Sequence, residues 1–182
     1  MLKKRILFVI LVLLIILSGV VLYLGVFYKS NNVVSKERLR ELYDNSYMYY
    51  LLTEGDLTKI GDNDGIIIDG VNYSSIKGYS SISDLDSIID STFLERYREM
   101  YRESLFGNRE FMGVNNRVYY ATNNYSFCDT SIVPFDDIKV SKSDEGKWSI
   151  TTDSIITSLY YENGDWYLAK PLFSCNADIG EE

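Results

Sequence analysis

The sequence has no histidine, only two cysteines and two prolines, and a deficit of basic residues: 18 Lys and Arg against 26 Asp and Glu over 182 positions. Without histidine there is no imidazole general base, no Ser/His or Cys/His dyad and no His-ligated metal. The net charge of −8 argues against nucleic acid as a partner, because phosphate binding runs on basic surface and counterion release. The length leaves room for one hydrophobic core and little else.

What is present begins with Lys3, Lys4 and Arg5, followed by an uncharged run from Ile6 to Tyr28 broken only by Ser18, Gly19 and Gly25. As a helix these residues extend about 35 Å, enough to cross a hydrocarbon core of roughly 30 Å with some tilt. A cleaved signal peptide is the competing reading, but its apolar region is shorter and ends at a small-x-small site. The cations before the run keep the N-terminus in the cytosol. The reading is therefore residues 1–5 cytosolic, 6–28 a single-pass anchor in the cell membrane, 29–34 a linker and 35–182 an extracytoplasmic domain. Beyond the anchor 15 basic residues face 26 acidic ones, a net −11, which favours cationic partners and solubility alike. Cys128 and Cys175 both fall in that exported part, where a disulfide persists; they are either a staple or two inert thiols, since pairing geometry is not legible in sequence.

Within the domain, Ser35 can cap a helix with Leu39, Leu42, Tyr43, Tyr47 and Tyr50 on its buried face and Arg38, Glu41 and Asn45 on the other, ending near Gly55. Residues 57–65 read as a loop. Ile66-Ile67-Ile68, Asp69-Gly70 and Val71-Asn72-Tyr73 form the strongest hairpin signal. A second helical stretch starts near Ser83 with Asp84 in its first turn and buries Leu85, Ile88, Ile89, Phe93, Tyr97, Met100 and Tyr101. Thr92 and Glu95 fit a capping box, so that stretch breaks in two, and Arg96, Arg98 and Arg102 suit the dipole at its end. Phe111–Val114 and Val118–Ala121 flank an Asn115-Asn116 turn; Asp137–Val140, Trp148–Thr152, Ile155–Tyr161 and Trp166–Ala169 supply further strands, the last two joined at Asn163-Gly164 and the ladder ended by Pro171. Helices first and strands last give an α+β class, with helices packed on one face of a curved antiparallel sheet.

Chemistry-bearing patterns are few. The acidic pairs Asp136/Asp137, Asp62/Asp64 and Glu162/Asp165 all lie in turns, where aspartates usually hold backbone amides. Asp62-Asn63-Asp64-Gly65 resembles the start of a calcium loop, but Val71 and Asn72 stand where its bidentate glutamate is needed. No metal, cofactor or enzymatic activity is therefore assigned. Of the 16 tyrosines, Tyr43, Tyr47, Tyr50, Tyr97, Tyr101, Tyr119, Tyr160 and Tyr167 are accounted for as core. The polar stretch from Thr122 to Asp129 carries Tyr125 and Phe127 and is long enough to bear binding function, with a wide hairpin connection as the plainer reading.

Three segments, Ile66–Tyr73, Ile82-Ser83-Asp84-Leu85 with Phe93, and Asn116–Tyr120, give the region Leu39–Val140 an order that resembles the IseA family of extracytoplasmic inhibitors of DL-endopeptidases, the cysteine peptidases that cut cell-wall stem peptides. The resemblance implies a binding protein, not an enzyme, that occludes a peptidase cleft; family members are secreted, whereas this chain reads as anchored. Contact residues taken from loop position are Tyr125 and Phe127 as aromatic anchors and Asp129, Asp136 and Asp137 as acids. The hairpin Leu159–Leu168 is also similar to the closing hairpin of nuclear-transport-factor-like cone folds. That likeness implies the alternative: an assembly module of a conjugation, sporulation or secretion complex, with other envelope proteins as partners.

Overall fold

The computed structural model describes Ser18 and residues 33–122, 127–128, 132–144, 146–152 and 155–175. The predicted anchor, residues 6–28, lies outside them apart from Ser18, and no helix among the described residues is long and apolar enough to cross a membrane. The chain divides into two compact units, Met1–Ser35 and Lys36–Glu182. The second unit is α+β, and all that follows concerns it.

Helix α1 (Lys36–Thr53) buries Leu42, Tyr43, Ser46, Tyr49, Tyr50, Leu51 and Leu52. Buried neighbours on adjacent positions mean that the helix is enclosed from more than one side. Its C-terminal carbonyls are met by a buried cation, because Arg109 donates to Leu51 O at 3.2 Å and Gly55 O at 2.8 Å. A positive charge there answers both the orphan carbonyls and the helix dipole. Gly55 marks the expected end, and its reason is space: a Cβ would stand 2.8 Å from the Tyr50 ring.

Residues 57–65 are not a loop. A short 3₁₀ turn (Leu57–Lys59), capped by Asp56, leads into strand β1 (Gly61–Ile68), which pairs with β2 (Val71–Ile76) through a register shift between Gly61 and Gly65. The bulge absorbs the Asp-Asn-Asp run, and Asp64 closes on Arg117 in an ion pair. Asp69 and Gly70 both take positive φ, 51° and 81°, the backbone of the type I′ hairpin expected there. The same turn recurs at Asn115-Asn116 between β3 (Phe111–Val114) and β4 (Arg117–Ala121), and at Asn163-Gly164 between β7 (Ile156–Glu162) and β8 (Asp165–Leu168).

Helices α2 (Ile82–Thr92) and α3 (Glu95–Asn108) are separated at Phe93-Leu94, as expected, but not by the expected cap. The Thr92 hydroxyl is buried without a hydrogen-bond partner, and Leu94 caps α3 with no side-chain bond. The break is set by tertiary structure: Phe93 bridges to Leu168, and Leu94 N–H donates to Leu168 O at 3.0 Å. The genuine capping box is at the start of α2, where Ser81 and Asp84 exchange bonds. Because the helix divides there, Arg96 and Arg98 fall at the beginning of α3, not at a C-terminus. Arg102 instead ties α3 to α2 through Asp86 and Asp90.

The strands form two four-stranded antiparallel sheets and not one curved sheet: β1-β2-β4-β3, and β5-β6-β7-β8 with β5 at Lys139–Lys142 and β6 at Trp148–Thr151. Asp137 belongs to a 3₁₀ turn (Phe135–Asp137) before β5. Helix α2 contacts both β3 and β8. Arg38, expected on the exposed face of α1, is largely buried and joins three elements. It donates to Ser91 O (2.6 Å) and Trp166 O (2.8 Å) and pairs with Asp165 (3.0 Å). Tyr160 and Met100, expected as core, are exposed.

At the centre, Tyr49 packs edge-on to Phe93 and Tyr101, and Phe93 lies tilted on Tyr101, at 4.2–5.5 Å between ring centroids, and Tyr101 donates to Ala169 O at 2.8 Å. Truncating the fully buried Phe93 to Ala is expected to cost about 3–5 kcal/mol in denaturant unfolding. Burial pushes Tyr49 up from 10 to about 12, and Tyr101 is raised further. A raised phenol favours the fold fully below pH 10, and that contribution is lost as pH rises through 12. Alkaline titration should therefore show Tyr49 and Tyr101 ionising only together with the loss of circular dichroism; early ionisation of all tyrosines in a folded protein would contradict this.

Candidate functional site

In the connection between β4 and β5, the described residues 127–128 and 132–137 lie along α1. Their contacts run antiparallel to the helix. Cys128 N–H donates to Glu54 O at 3.1 Å and its carbonyl accepts from Tyr50 Oη at 2.5 Å. Val133 O accepts from Tyr43 Oη at 2.6 Å. Phe135 packs edge-on to Tyr43 at 5.5 Å with the Arg40 guanidinium 4.8 Å above its ring. Asp136 comes within 3.9 Å of Lys36 at the start of the helix.

A second segment, Leu172–Cys175, lies beside it and runs with the helix. Leu172 N–H donates to the buried Ser46 Oγ at 2.7 Å, Phe173 packs on Tyr43 and Tyr47, and Cys175 N–H donates to Glu54 Oε2 at 2.6 Å. The two segments meet in a disulfide between Cys128 and Cys175, with Cα atoms 6.0 Å apart. Of the two readings open in the sequence, the staple is the one observed. The tyrosines counted as simple core thus have polar work as well: Tyr43 and Tyr50 turn their hydroxyls outward to hold the strap.

This strap places the predicted contact residues. Phe127, next to the disulfide, is 55% exposed. Asp136 and Asp137 are exposed in the 3₁₀ turn at the other end; Asp136 is 85% and its partner Lys36 78% exposed in their side chains. An ion pair so exposed contributes little and leaves the carboxylate available. Tyr125 and Asp129 lie outside the described residues. The rise of α1 between Tyr50 and Lys36 puts the two ends roughly 20 Å apart, so Phe127 and the aspartates do not form one pocket. A standard protein interface, about 30 Å across, spans both.

A shallow hollow of about 330 Å³ opens at the Asp136 end, lined by Lys36, Glu37, Arg40, Phe135 and Asp136. Its mixed charge suits a polar protein surface better than an apolar ligand. Among the described residues no group of three or more acidic or cysteine side chains converges to hold a metal. In the other acidic pairs Asp64 is engaged by Arg117, and Asp165 by Arg38 and the Trp166 N–H. No family model, curated protein or solved structure matches the chain.

Sequence reasoning missed Arg40, Phe135 and Glu54 as parts of this surface. Phe135, beside Pro134, carried a usable signal, an aromatic flanked by turn residues within a long connection; Arg40 and Glu54 carried none. Replacing both cysteines with serine is expected to lower stability by up to about 4 kcal/mol, the loop-entropy value for their separation of 47. Tyr50→Phe is expected to cost about 1 kcal/mol through the lost bond to Cys128 O. Equilibrium unfolding in urea measures both.

Proposed function

We propose that this chain is a membrane-anchored extracytoplasmic binding protein that inhibits cell-wall DL-endopeptidases by occluding their active-site cleft. In this reading residues 6–28 form a transmembrane helix with the N-terminus in the cytosol, and the acidic domain acts by contact and not by catalysis. The observation that carries it is the strap: an exposed aromatic, Phe127, adjoins a disulfide that is itself bonded to α1. An anchor held in place before binding loses little conformational entropy on docking. The disulfide also suits the oxidising side of a membrane.

Charge works in the same direction. Asp136 and Asp137 add two exposed carboxylates near the start of α1, so a cleft with a cationic rim is both attracted and oriented. Phe127 enters the cleft, and the aspartates set the register on its rim.

The test is to add the full-length chain, in detergent micelles, to purified DL-endopeptidases and follow cleavage of wall peptides. Inhibition is expected, weakened at least tenfold by Phe127→Ala and, at low salt, by Asp136→Asn with Asp137→Asn. Full peptidase activity at micromolar inhibitor would overturn the proposal. Undisturbed cleavage together with stable capture of envelope proteins would favour the assembly-module reading.

A further inference from the structure

The outward row of the second sheet carries Tyr160 on β7 and Tyr167 on β8 as a cross-strand pair. Three guanidinium groups stand over these rings. Arg38 lies 5.7 Å and Arg98 5.3 Å from the Tyr167 centroid. Arg96 lies 5.2 Å from Tyr160 and 4.8 Å from Tyr97, between two rings.

The three differ in how their N–H groups are used. Arg38 is consumed by Glu41, Asp165 and two backbone carbonyls. Arg98 is taken by Phe93 O and Asp90. Arg96 is exposed and, among the described residues, makes no hydrogen bond or ion pair; the two tyrosine rings are what orient it. A guanidinium fixed by its faces keeps its edge donors open, and those donors match a carboxylate in bidentate fashion. One helical turn on from Arg96, Met100 is 53% exposed, and Tyr160 is 40% exposed. Apolar surface therefore borders the cation on both sides.

We infer that Arg96, Tyr97, Met100 and Tyr160 form a binding site for an acidic peptide segment, one carboxylate taken by the Arg96 fork and a neighbouring apolar side chain laid on Met100 and Tyr160. Charge on the page selects this occupant over others. A second copy of this domain would bring its whole net charge of −11 against an equal charge, whereas a short peptide segment brings one carboxylate. A polyanionic polymer needs several unpaired cations in a row, whereas Arg38, Arg98 and Arg102 are already neutralised and Glu95, Glu99 and Glu162 stand nearby. A single carboxylate uses the one guanidinium that is open. The site shares no residue with the strap, so it stands or falls apart from the inhibitor proposal.

The test uses the full-length chain in detergent micelles and fluorescence anisotropy of a labelled short peptide carrying one glutamate flanked by leucines in an otherwise uncharged sequence, with the glutamine-for-glutamate peptide as the uncharged twin. The glutamate peptide is expected to bind and the glutamine peptide not to. Arg96→Ala should weaken binding at least tenfold, Arg96→Lys should restore only part because the fork is lost, and Tyr160→Ala should weaken it by a smaller factor. Arg96 and Tyr160 are surface residues, so circular dichroism and melting of the variants should match the parent. No binding by the parent, or equal binding by Arg96→Ala, would overturn the inference. So would capture of inorganic polyphosphate in place of the peptide, which would assign the surface to polyanions.

Discussion

Helix α1 is gripped from outside by two chain segments that run in opposite directions and are joined by one covalent bond. Most of what the domain offers to solvent on that side depends on this grip. The disulfide alone does not create it, because each segment is also bonded to the helix: Cys128 through Tyr50 and Glu54, Leu172 through Ser46, and Cys175 through the Glu54 carboxylate. The covalent link makes these bonds mutually supporting, since loosening one segment pulls on the other. Glu54 holds both segments at the same helix end, its carbonyl on one and its side chain on the other.

The same helix organises the far side through Arg38. That side chain binds carbonyls from the end of α2 and from β8 and a carboxylate from β8, so the helical layer and the second sheet share one cation. The helix break at Phe93-Leu94 belongs to this junction, because its backbone completes the edge of β8. A helix running straight through Phe93 would leave that edge unpaired and remove Phe93 from between Tyr49 and Tyr101.

Local signals were legible in the sequence where one or two residues determine the backbone. The three type I′ turns at Asp69-Gly70, Asn115-Asn116 and Asn163-Gly164 are of that kind, as is the acidic first turn at Asp84. The split of the second helix was legible in place but not in cause, since Thr92 resembles a cap while the determining contact comes from Leu168, many residues away. The division of strands into two sheets was hidden because nothing in a run of strands says which neighbours pair. Arg38 was read as surface because a charged residue at the start of a helix usually is. Its burial depends on Asp165 and two carbonyls that only the fold brings near. Phe127, Asp136 and Asp137 are exposed, but their spacing along α1 follows from contacts by Tyr43 and Tyr50 that periodicity assigned to the core.

The proposed contact between the strap and a wall peptidase is open to direct measurement. Hydrogen–deuterium exchange on the full-length chain, with and without a DL-endopeptidase, measures this directly. The account predicts slowed exchange at the amides of residues 127–128 and 132–137 in the complex, with the β1–β4 sheet unchanged. Protection confined to that sheet, or an exchange pattern indifferent to the peptidase, would contradict it.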